Sequence, residues 1–489
     1  MNRRNRAKPQ GLKKELTGIP GFDEITGGGL PSGRPTLVCG SAGAGKTLFA
    51  MEFLVRGATL HNQPGVFMSF EETDEELTTN VASLGFDVRQ LISEKKLLID
   101  YVFIERSEIE ETGEYDLEAL FLRLGYAIDT IGAKRVVLDT LEALFSGLPN
   151  EAIIRAELRR LFRWLKDKGV TAVITCERGD KALTRFGLEE YVADCVILLD
   201  HRVQSQISTR RMRIVKYRGT SHGTNEYPFL IDEKGFAVLP ITSLGLNHKA
   251  STARISSGIP PLDAMLDGKG FYRGSSILVS GTAGTGKSTI AAHFVEATCK
   301  RGERALFFAF EESQGQIIRN MRSVGIELEK FVRKGLLRFH NARPSTWGLE
   351  VHLAMIHKQI GEYVPEVVIV DPITNFLVIG DPIETRSMLT RLIDFLKIKQ
   401  ITAVFTSLSS SGSDPERSEV DVSSLMDSWL LVKNIESNGE RNRGFYILKA
   451  RGIAHSNHVR EFILTDHGVE LRDPGIGSEG VLMSSARSA

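Results

Sequence analysis

The chain has 489 residues, of which 42% are hydrophobic and 25% are charged, so it can form several domains with large buried cores. Its 61 basic and 61 acidic residues balance, which argues against a protein that coats nucleic acid or another polyanion. No apolar run reaches membrane-spanning length, no signal-peptide pattern opens the sequence, and the four cysteines lack metal-site spacing. We therefore expect a cytoplasmic protein with reduced, buried thiols.

The first motif is a glycine-rich loop, Gly40–Thr47, which follows an apolar strand and precedes an apolar helix. It fits G-x-x-x-x-G-K-[ST], the Walker A pattern. Gly43 and Gly45 allow backbone N–H groups to turn inward at a helix N-terminus and form an anion cradle. We predict that Lys46 binds the β- and γ-phosphates of ATP and that the Thr47 hydroxyl binds Mg²⁺. The alternative is a glycine-rich turn without a ligand.

Carboxylates follow two of the next apolar runs. Val66–Phe70 leads into Glu71 and Glu72, and a later run ends in Asp139. Open α/β sheets place ligands at the carboxyl ends of their strands. Asp139 is therefore predicted to hold Mg²⁺ through water, and one of the two glutamates to act as a general base. The alternatives are a capping role for Asp139 and an N-capping role for the glutamate pair at the next helix.

A basic signature, Lys216-Tyr-Arg218-Gly-Thr-Ser-His222, closes the first half. Strand alternation places Lys216 and Arg218 on one face. Cations presented to the γ-phosphate of a neighbouring subunit would act as an arginine finger, so the signature is predicted to contact ATP. The alternative is a solvated, charged hairpin.

All of these features recur in the second half. The second Walker loop, Gly281–Ser288, has its lysine 241 residues after the first (287 − 46). The distance from the apolar-run aspartate to the signature lysine is also kept, at 77 (216 − 139) and 78 (449 − 371) residues. A duplicated nucleotide-binding domain is the simplest reading. The corresponding residues are Gly284, Gly286, Lys287 and Ser288 in the loop, the glutamates Glu311 and Glu312, the aspartate Asp371, and Lys449, Arg451 and His455 in the signature.

The apolar runs are too continuous for strands with one exposed face, and they alternate with helical stretches. This pattern predicts an α/β fold twice over, each a mostly parallel twisted sheet flanked by helices. The predicted parts are a basic disordered arm over residues 1–15, a first domain over 16–243, a linker over 244–253, a second domain over 254–472 and a flexible tail over 473–489.

Taken together, the motifs resemble the RecA/DnaB-like ATPases, and most closely the KaiC family of clock proteins. The resemblance covers the chain from about Leu16 to Asp473 and rests on the doubled Walker loops, glutamate pairs and Lys-x-Arg-Gly signatures. The segment Thr184–Asp194 is also similar to the first domain of that family. The fold that the resemblance implies is two tandem RecA-like P-loop domains.

The resemblance further implies a two-tiered homohexamer that binds ATP and Mg²⁺ at its subunit interfaces. The first domain would hydrolyse ATP and drive ring assembly, and the second would phosphorylate and dephosphorylate itself. The family's phosphorylated positions correspond to Ser423 and Ser424, with Glu311 activating their hydroxyls. This pair is Ser-Ser where the best-studied members have Ser-Thr, and either hydroxyl can accept a phosphoryl group. Without the family, the two serines are only a polar pair before a strand.

Partners also follow from the resemblance. Gly480–Ser485 is similar to the start of the loop that sets the balance of kinase and phosphatase, but the long tail that recruits KaiA in cyanobacteria is missing. We therefore expect no dependence on KaiA, whereas a KaiB-like protein can be a partner of the first domain. The output is that of a clock, a simpler timer or a stress-signalling regulator.

Two other functions are compatible with doubled Walker loops. One is a RecA/RadA-like motor whose ATPase depends on DNA, against which stand the neutral charge and the second active-looking domain. The other is a non-enzymatic scaffold that ATP only holds together, against which stand the two retained glutamate pairs. The resemblance favours the ATPase and autokinase, without nucleic acid or membrane as a partner.

Overall fold

The computed structural model describes residues 11–102, 117–145, 151–179, 183–184, 192–204, 207–240, 250–409, 422–437 and 440–473. The chain forms two compact units, Met1–Ser243 and Leu244–Ala489. Most of the predicted arm, linker and tail, and most of the segment Thr184–Asp194, lie outside the described residues. No helix of the described part is long and apolar enough to cross a membrane.

The first unit is built on a large mixed sheet with helices on its faces. Its strands are β1 (Lys14–Glu15), β2 (Leu30–Pro31), β3 (Pro35–Gly40), β4 (Gly65–Ser69), β5 (Leu97–Tyr101), β6 (Arg135–Asp139), β7 (Thr171–Glu177), β8 (Cys195–Gln204), β9 (Ile207–Tyr217), β10 (Glu226–Asp232) and β11 (Gly235–Val238). Its helices are α1 (Phe22–Ile25), α2 (Lys46–Leu60), α3 (Asp74–Ala82), α4 (Val88–Ser93), α5 (Glu118–Ile131), α6 (Leu141–Phe145) and α7 (Glu151–Asp167).

The second unit repeats this plan. Its strands are β12 (Arg254–Ile255), β13 (Phe271–Tyr272), β14 (Ser276–Gly281), β15 (Ala305–Ala309), β16 (Leu337–Asn341), β17 (Val367–Asp371), β18 (Thr402–Leu408), β19 (Ser428–Ser437), β20 (Glu440–Ala450), β21 (Arg460–Thr465) and β22 (Gly468–Arg472). Its helices are α8 (Pro260–Ala264), α9 (Lys287–Lys300), α10 (Gln314–Arg322), α11 (Glu329–Arg333), α12 (Leu349–Tyr363) and α13 (Pro382–Ile398), with 3-10 turns at Pro344–Thr346 and Ile373–Val378.

The two main sheets share one topology. Their strand orders are β5-β4-β6-β7-β3-β8-β9-β10-β11 and β16-β15-β17-β18-β14-β19-β20-β21-β22. In each order the first six strands are parallel and the last three antiparallel. The Walker strands β3 and β14 are buried along their whole length. The predicted α/β fold, formed twice as a mostly parallel sheet between helices, is confirmed.

A strand is present before residue 16, inside the segment that the sequence predicts to be a disordered arm. Lys14–Glu15 forms strand β1, which pairs antiparallel with β2. The Lys14 ammonium donates to the carbonyl oxygen of Thr26 at 2.5 Å and lies over the ring of Tyr217, 5.0 Å from its centroid. These contacts order the chain at Lys14, although its local sequence is polar.

A buried arginine distinguishes the first core from the second. Arg135, at the start of β6, is 0% exposed, and its guanidinium donates to Gln63 Oε1 at 2.7 Å, to the Phe53 carbonyl at 2.8 Å and to the Leu16 carbonyl at 2.6 Å. Burial lowers its pKa to about 10. Gly57 provides the room, since a Cβ atom there would lie 2.5 Å from Arg135 Cδ.

The second unit fills the same place differently. Val367 begins β17 where Arg135 begins β6, and Thr298 corresponds to Gly57, eleven residues after the Walker lysine (298 − 287 and 57 − 46). The Thr298 hydroxyl donates to the Phe294 carbonyl at 2.7 Å. This carbonyl is the counterpart of the Phe53 carbonyl. A short hydroxyl therefore satisfies the acceptor that a guanidinium satisfies in the first unit.

Because Arg135 stands with Gly57 in the first unit and Val367 with Thr298 in the second, we expect substitutions at residues 135 and 57 to be strongly coupled in a double-mutant cycle. Arg135→Val removes the hydrogen bonds to Gln63 and to the Phe53 and Leu16 carbonyls and leaves a cavity, and we expect it to destabilise the first unit by about 3 kcal/mol. Gly57→Thr alone forces a side chain against Arg135 and should also destabilise it. The double variant places in the first unit the Val and Thr side chains of the second. It should recover more than half of the free energy of unfolding that the two single changes together remove. Native-state hydrogen exchange of β6 and α2 peptides measures each free energy, and strictly additive losses would contradict the coupling.

Candidate nucleotide sites

The backbone of both Walker loops has the cradle geometry that the glycines predict. Helices α2 and α9 begin immediately after Gly45 and Gly286, and both of these N-cap glycines have a φ of 99°. Gly43 and Gly284 are also in the left-handed region, at 72° and 74°. Residues with side chains rarely adopt these angles, so the loop conformation depends on glycine at these positions. The helix N-termini face the loops, which favours an anion there.

The Walker lysines lie along their loops. The Lys46 ammonium donates to the carbonyl oxygens of Gly40 and Ser41, at 2.9 and 3.2 Å. Lys287 makes the same two contacts in its own loop, at 2.9 and 2.8 Å. Both lysines are buried. Each charge is therefore fixed beside the backbone N–H groups that would hold a triphosphate.

The aspartates that end β6 and β17 face the Walker hydroxyls. Asp139 accepts hydrogen bonds from Thr47 and Thr175, and burial raises its pKa against the effect of these bonds. The carboxylate therefore faces the hydroxyl group of the Walker loop. A hydroxyl beside a carboxylate provides oxygen donors of the kind that Mg²⁺ prefers, so these residues fit the predicted ion. The second unit repeats the arrangement with Asp371, Ser288 and Thr406.

Thr175 and Thr406 were not singled out from the sequence. Each lies in the strand next to the aspartate's strand, and each donates to that aspartate. The duplication carried the signal, because the threonine follows the aspartate by 36 residues in one unit (175 − 139) and by 35 in the other (406 − 371). These threonines orient the carboxylate that would hold the metal's water.

The glutamate pairs do not cap the helices that follow them. Thr73 caps α3 in a capping box with Glu76, and Ser313 caps α10 in the same way with Gln316. N-capping of these helices is therefore done by Thr73 and Ser313 and not by the glutamate pairs. The glutamates follow the carboxyl ends of β4 and β15, where open α/β sheets place ligands.

The first glutamate of each pair faces the Walker residues. Glu71 accepts a hydrogen bond from Thr140 at 2.9 Å, and its charge raises the pKa of Asp139. Burial lowers the pKa of Lys287 to about 8, and the charge of Glu311 acts in the opposite direction.

The second glutamates are placed differently. Glu72 is close enough to Asp139 to raise its pKa, and its backbone carbonyl accepts from the Ser69 hydroxyl at 2.6 Å. The Glu312 carboxylate lies 3.4 Å from the side-chain nitrogen of Asn320 on α10. Glu311 is therefore the better placed of its pair for chemistry at the second loop.

The second basic signature contacts the predicted phosphoacceptors. The Lys449 ammonium donates to the Ser423 carbonyl at 3.0 Å, and the Arg451 guanidinium donates to the Ser424 carbonyl at 2.6 Å. Burial and the neighbouring Arg451 lower the pKa of Lys449. His455 lies on the same turn, with Nδ1 3.2 Å from the Ile453 carbonyl. The serines and the cations therefore form one surface.

That surface lies at the opposite end of the sheet from the Walker loop of the same unit. Strand β19 runs parallel to β14, so Ser276 lies beside Asp427 whereas Gly281 lies beside Val432. Five residue steps along β14 (281 − 276) span about 16 Å at roughly 3.3 Å per residue. The serines precede Asp427 and lie at the far end. A single second unit therefore does not bring its serines to its own loop.

The first basic signature has the same placement. Lys216 pairs with Val196 near the start of β8, and Arg218 Nη1 lies 3.6 Å from Asp194 Oδ1. The His222 ring lies 6.2 Å from the Tyr217 ring. The structure thus brings each Walker loop together with its aspartate and the first glutamate of its pair, and keeps each basic signature apart from them.

Nearly the whole chain is similar to known proteins. The family model described as "ATPase: KaiC" matches twice, over residues 16–243 and 255–475. The chain belongs to the KaiC family of ATPases. This KaiC-family chain is 59% identical to circadian clock protein KaiC2 of Synechocystis sp., over 97% of this chain and 84% of that protein. It is 39% identical to the circadian clock oscillator protein KaiC of Thermostichus vulcanus, over 96% and 91%, and 36% identical to that of Synechococcus elongatus, over 98% and 93%.

Membership of the family bears out the resemblance drawn from the doubled motifs. It supports nucleotide binding and ATP hydrolysis by this chain, whose two RecA-like units are each matched by the family model. The roles of individual residues in the two sites remain predictions. The geometry of the loops, aspartates and glutamates shows only which of these residues lie close together.

Proposed function

We propose that this KaiC-family protein is an ATPase and serine autokinase that works as a homohexamer. In this proposal each Walker loop holds ATP at the boundary between two subunits, and the basic signature of the neighbouring subunit completes the site. The observation that carries the proposal is the separation of loop and signature. Lys449 and Arg451 lie at the end of the sheet remote from their own loop, beside Ser423 and Ser424.

Phosphoryl transfer in the second unit would use the same arrangement. Glu311 accepts the proton of the Ser423 or Ser424 hydroxyl of the adjacent subunit. The serine oxygen then forms a bond to the γ-phosphorus while the bond from that phosphorus to the bridging oxygen breaks, and ADP leaves. Lys287 and the neighbour's Lys449 and Arg451 stabilise charge on the transferring group. Mg²⁺, held by Ser288 and through water by Asp371, would neutralise phosphate charge when bound.

The first unit would hydrolyse ATP. There Glu71 or Glu72 orients and deprotonates a water, and Lys46 with the neighbour's Lys216, Arg218 and His222 stabilises the transferred phosphoryl group. Thr47 and Asp139 would hold the Mg²⁺. We propose that binding at this loop drives ring assembly, and that phosphate on the serines of the second unit is later removed by the same unit.

The proposed role is that of a cytoplasmic clock, timer or stress-signalling regulator. A KaiB-like protein is the proposed partner of the first unit. The support is the similarity to relatives that are named circadian clock proteins.

Incubation of the purified protein with γ-labelled ATP and Mg²⁺ tests the proposal. We expect label on Ser423 or Ser424 together with release of labelled phosphate. Hydrolysis without protein label would leave a plain ATPase, and neither product would leave a scaffold. Stimulation of hydrolysis by single-stranded DNA, weakening as salt rises, would favour a DNA-dependent motor instead.

A further inference from the structure

The terminal hairpin of each unit packs against the last glycine of its Walker loop. In the second unit the hairpin is β21–β22, and a Cβ atom at Gly286 would lie 2.8 Å from the Phe462 ring. In the first unit the hairpin is β10–β11, and a Cβ atom at Gly45 would lie 2.9 Å from Ile231 Cδ1. The phosphate loop therefore rests on the hairpin, and a shift of the hairpin would be transmitted to the loop.

One side chain of each Walker helix fastens the hairpin. Glu52 Oε2 accepts a hydrogen bond from the backbone N–H of Phe236 at 2.6 Å. His293 Nε2 accepts one from the backbone N–H of Val469 at 3.0 Å. The two side chains hold the same position in the repeat, six residues after the Walker lysine (52 − 46 and 293 − 287).

Both hairpin turns are shaped for this contact. The residue before each N–H donor is a glycine with a positive φ, Gly235 at 95° and Gly468 at 105°. A Cβ atom at Gly235 would lie 2.4 Å from Glu52 Oε2, and one at Gly468 would lie 2.5 Å from His293 Nε2. The close approach of side chain to turn therefore requires glycine in both units.

The two acceptors differ in how they respond to protons. A carboxyl group keeps an acceptor oxygen whether it is ionised or protonated, whereas imidazole accepts through Nε2 only while that nitrogen has no proton. Burial lowers the pKa of His293 from its ordinary value of 6.5, with Glu296 raising it and Lys300 lowering it. Burial raises the pKa of Glu52. The contact of His293 is therefore intact at neutral pH and is lost only at a pH below 6.5.

The charged groups around His293 come from three elements. Glu296 of the same helix lies within ion-pair distance of Lys300, at 3.1 Å, and of Lys330 on α11, at 3.7 Å. The side chains of Asp466 and His467, in the turn between β21 and β22, are more than four-fifths exposed, so their charges are screened by solvent. Glu296 and Lys300 act on His293 directly, Lys330 pairs with Glu296, and Asp466 and His467 stand immediately before Gly468 in the turn.

We propose that His293 is a positioning residue for the second Walker loop, holding β21–β22 against Gly286 by accepting the Val469 N–H. Protonation of Nε2 would place two N–H groups face to face, release the hairpin and weaken ATP binding by the second unit. Glu52 keeps an acceptor oxygen for the Phe236 N–H in either protonation state, so the first loop should respond less than the second over the same pH range. The inference rests on the proposed binding of ATP by both loops, and it assigns acid sensitivity to only one of them.

Hydrogen exchange of Walker-loop peptides in the intact protein tests this, because it reports the two loops separately. Protection of segments 40–47 and 281–288 is titrated with the Mg²⁺ complex of a non-hydrolysable imido analogue of ATP, at about pH 7.5 and about pH 5.5. We expect the apparent affinity of the second loop to fall at the lower pH by up to about fivefold, the full effect of losing one buried hydrogen bond. The first loop is the internal control for changes in the nucleotide itself.

Three variants separate positioning from mere packing. His293→Gln keeps an acceptor that does not titrate, so the second loop of this variant should bind the ATP analogue with normal affinity at both pH values. His293→Leu removes the acceptor, so its second loop should bind the analogue weakly at both pH values. Glu52→His should transfer the acid sensitivity to the first loop.

Several results would overturn the proposal. These are an equal response of the two loops in the wild type, a fall in second-loop affinity that persists in His293→Gln, or a His293→Leu variant that is less stable yet binds normally. Protection of neither loop at pH 7.5 would instead refute nucleotide binding itself, and this inference with it.

Discussion

Glu311→Gln is expected to lower phosphorylation of Ser423 and Ser424 by about 10²- to 10⁴-fold, the usual effect of removing a general base. The amide cannot accept the serine proton, but it keeps the size of the side chain that faces Lys287. Binding of ATP should therefore persist. Phosphopeptide mass spectrometry over time measures the rate, and a fluorescent ATP analogue measures the affinity.

Glu312→Gln is the matched control for that variant. The Glu312 carboxylate lies 3.4 Å from the side-chain nitrogen of Asn320 on α10, so this change should alter the rate by less than about tenfold. If Glu311→Gln and Glu312→Gln lowered the phosphorylation rate equally, the assignment of Glu311 alone as the base would be wrong. Undiminished phosphorylation in Glu311→Gln would exclude it as the base.

Lys46→Ala is expected to weaken ring assembly far more than Lys287→Ala does. Both changes remove a cation that is fixed in a phosphate loop by two carbonyl contacts, so each should abolish tight nucleotide binding in its own unit. In the proposed division of labour, only nucleotide in the first unit holds the ring together. We expect the assembly midpoint of Lys46→Ala to shift by about tenfold or more in protein concentration.

Size-exclusion chromatography with light scattering, in the presence of ATP and Mg²⁺, measures that difference. Lys287→Ala is the control of equal chemistry, and it should stay assembled while losing phosphorylation. A ring that survives Lys46→Ala but dissociates in Lys287→Ala would reverse the assigned roles of the two units.

Much of the fold and of both sites could be predicted because the signals are local. A Walker loop places its glycines, lysine and hydroxyl in consecutive positions, so Gly45, Lys46 and Thr47 could be identified from one short segment. Asp139 and Asp371 end apolar runs of strand length, and parallel pairing then brings them to the loop. The duplication strengthened each of these predictions, since chance seldom repeats a spacing.

The residues that were missed act through partners far away in sequence. Arg135 reads as a charge at the start of a strand, yet its acceptors come from Leu16, Phe53 and Gln63. His293 reads as one polar residue in an apolar helix, and its donor is a backbone group 176 residues later. Such contacts depend on how hairpins and helices pack, which hydrophobic periodicity does not specify.

The central claim is that the second unit of one subunit phosphorylates the serines of another, and mixing two inactive variants tests it directly. Lys287→Ala chains have acceptor serines but no nucleotide in the second unit, and Ser423→Ala/Ser424→Ala chains have the nucleotide but no acceptor. We predict that labelled phosphate appears on the serines of the Lys287→Ala chains only after the two are co-assembled. Mixed rings that stay unlabelled, under conditions in which the wild type is labelled, would contradict transfer between subunits.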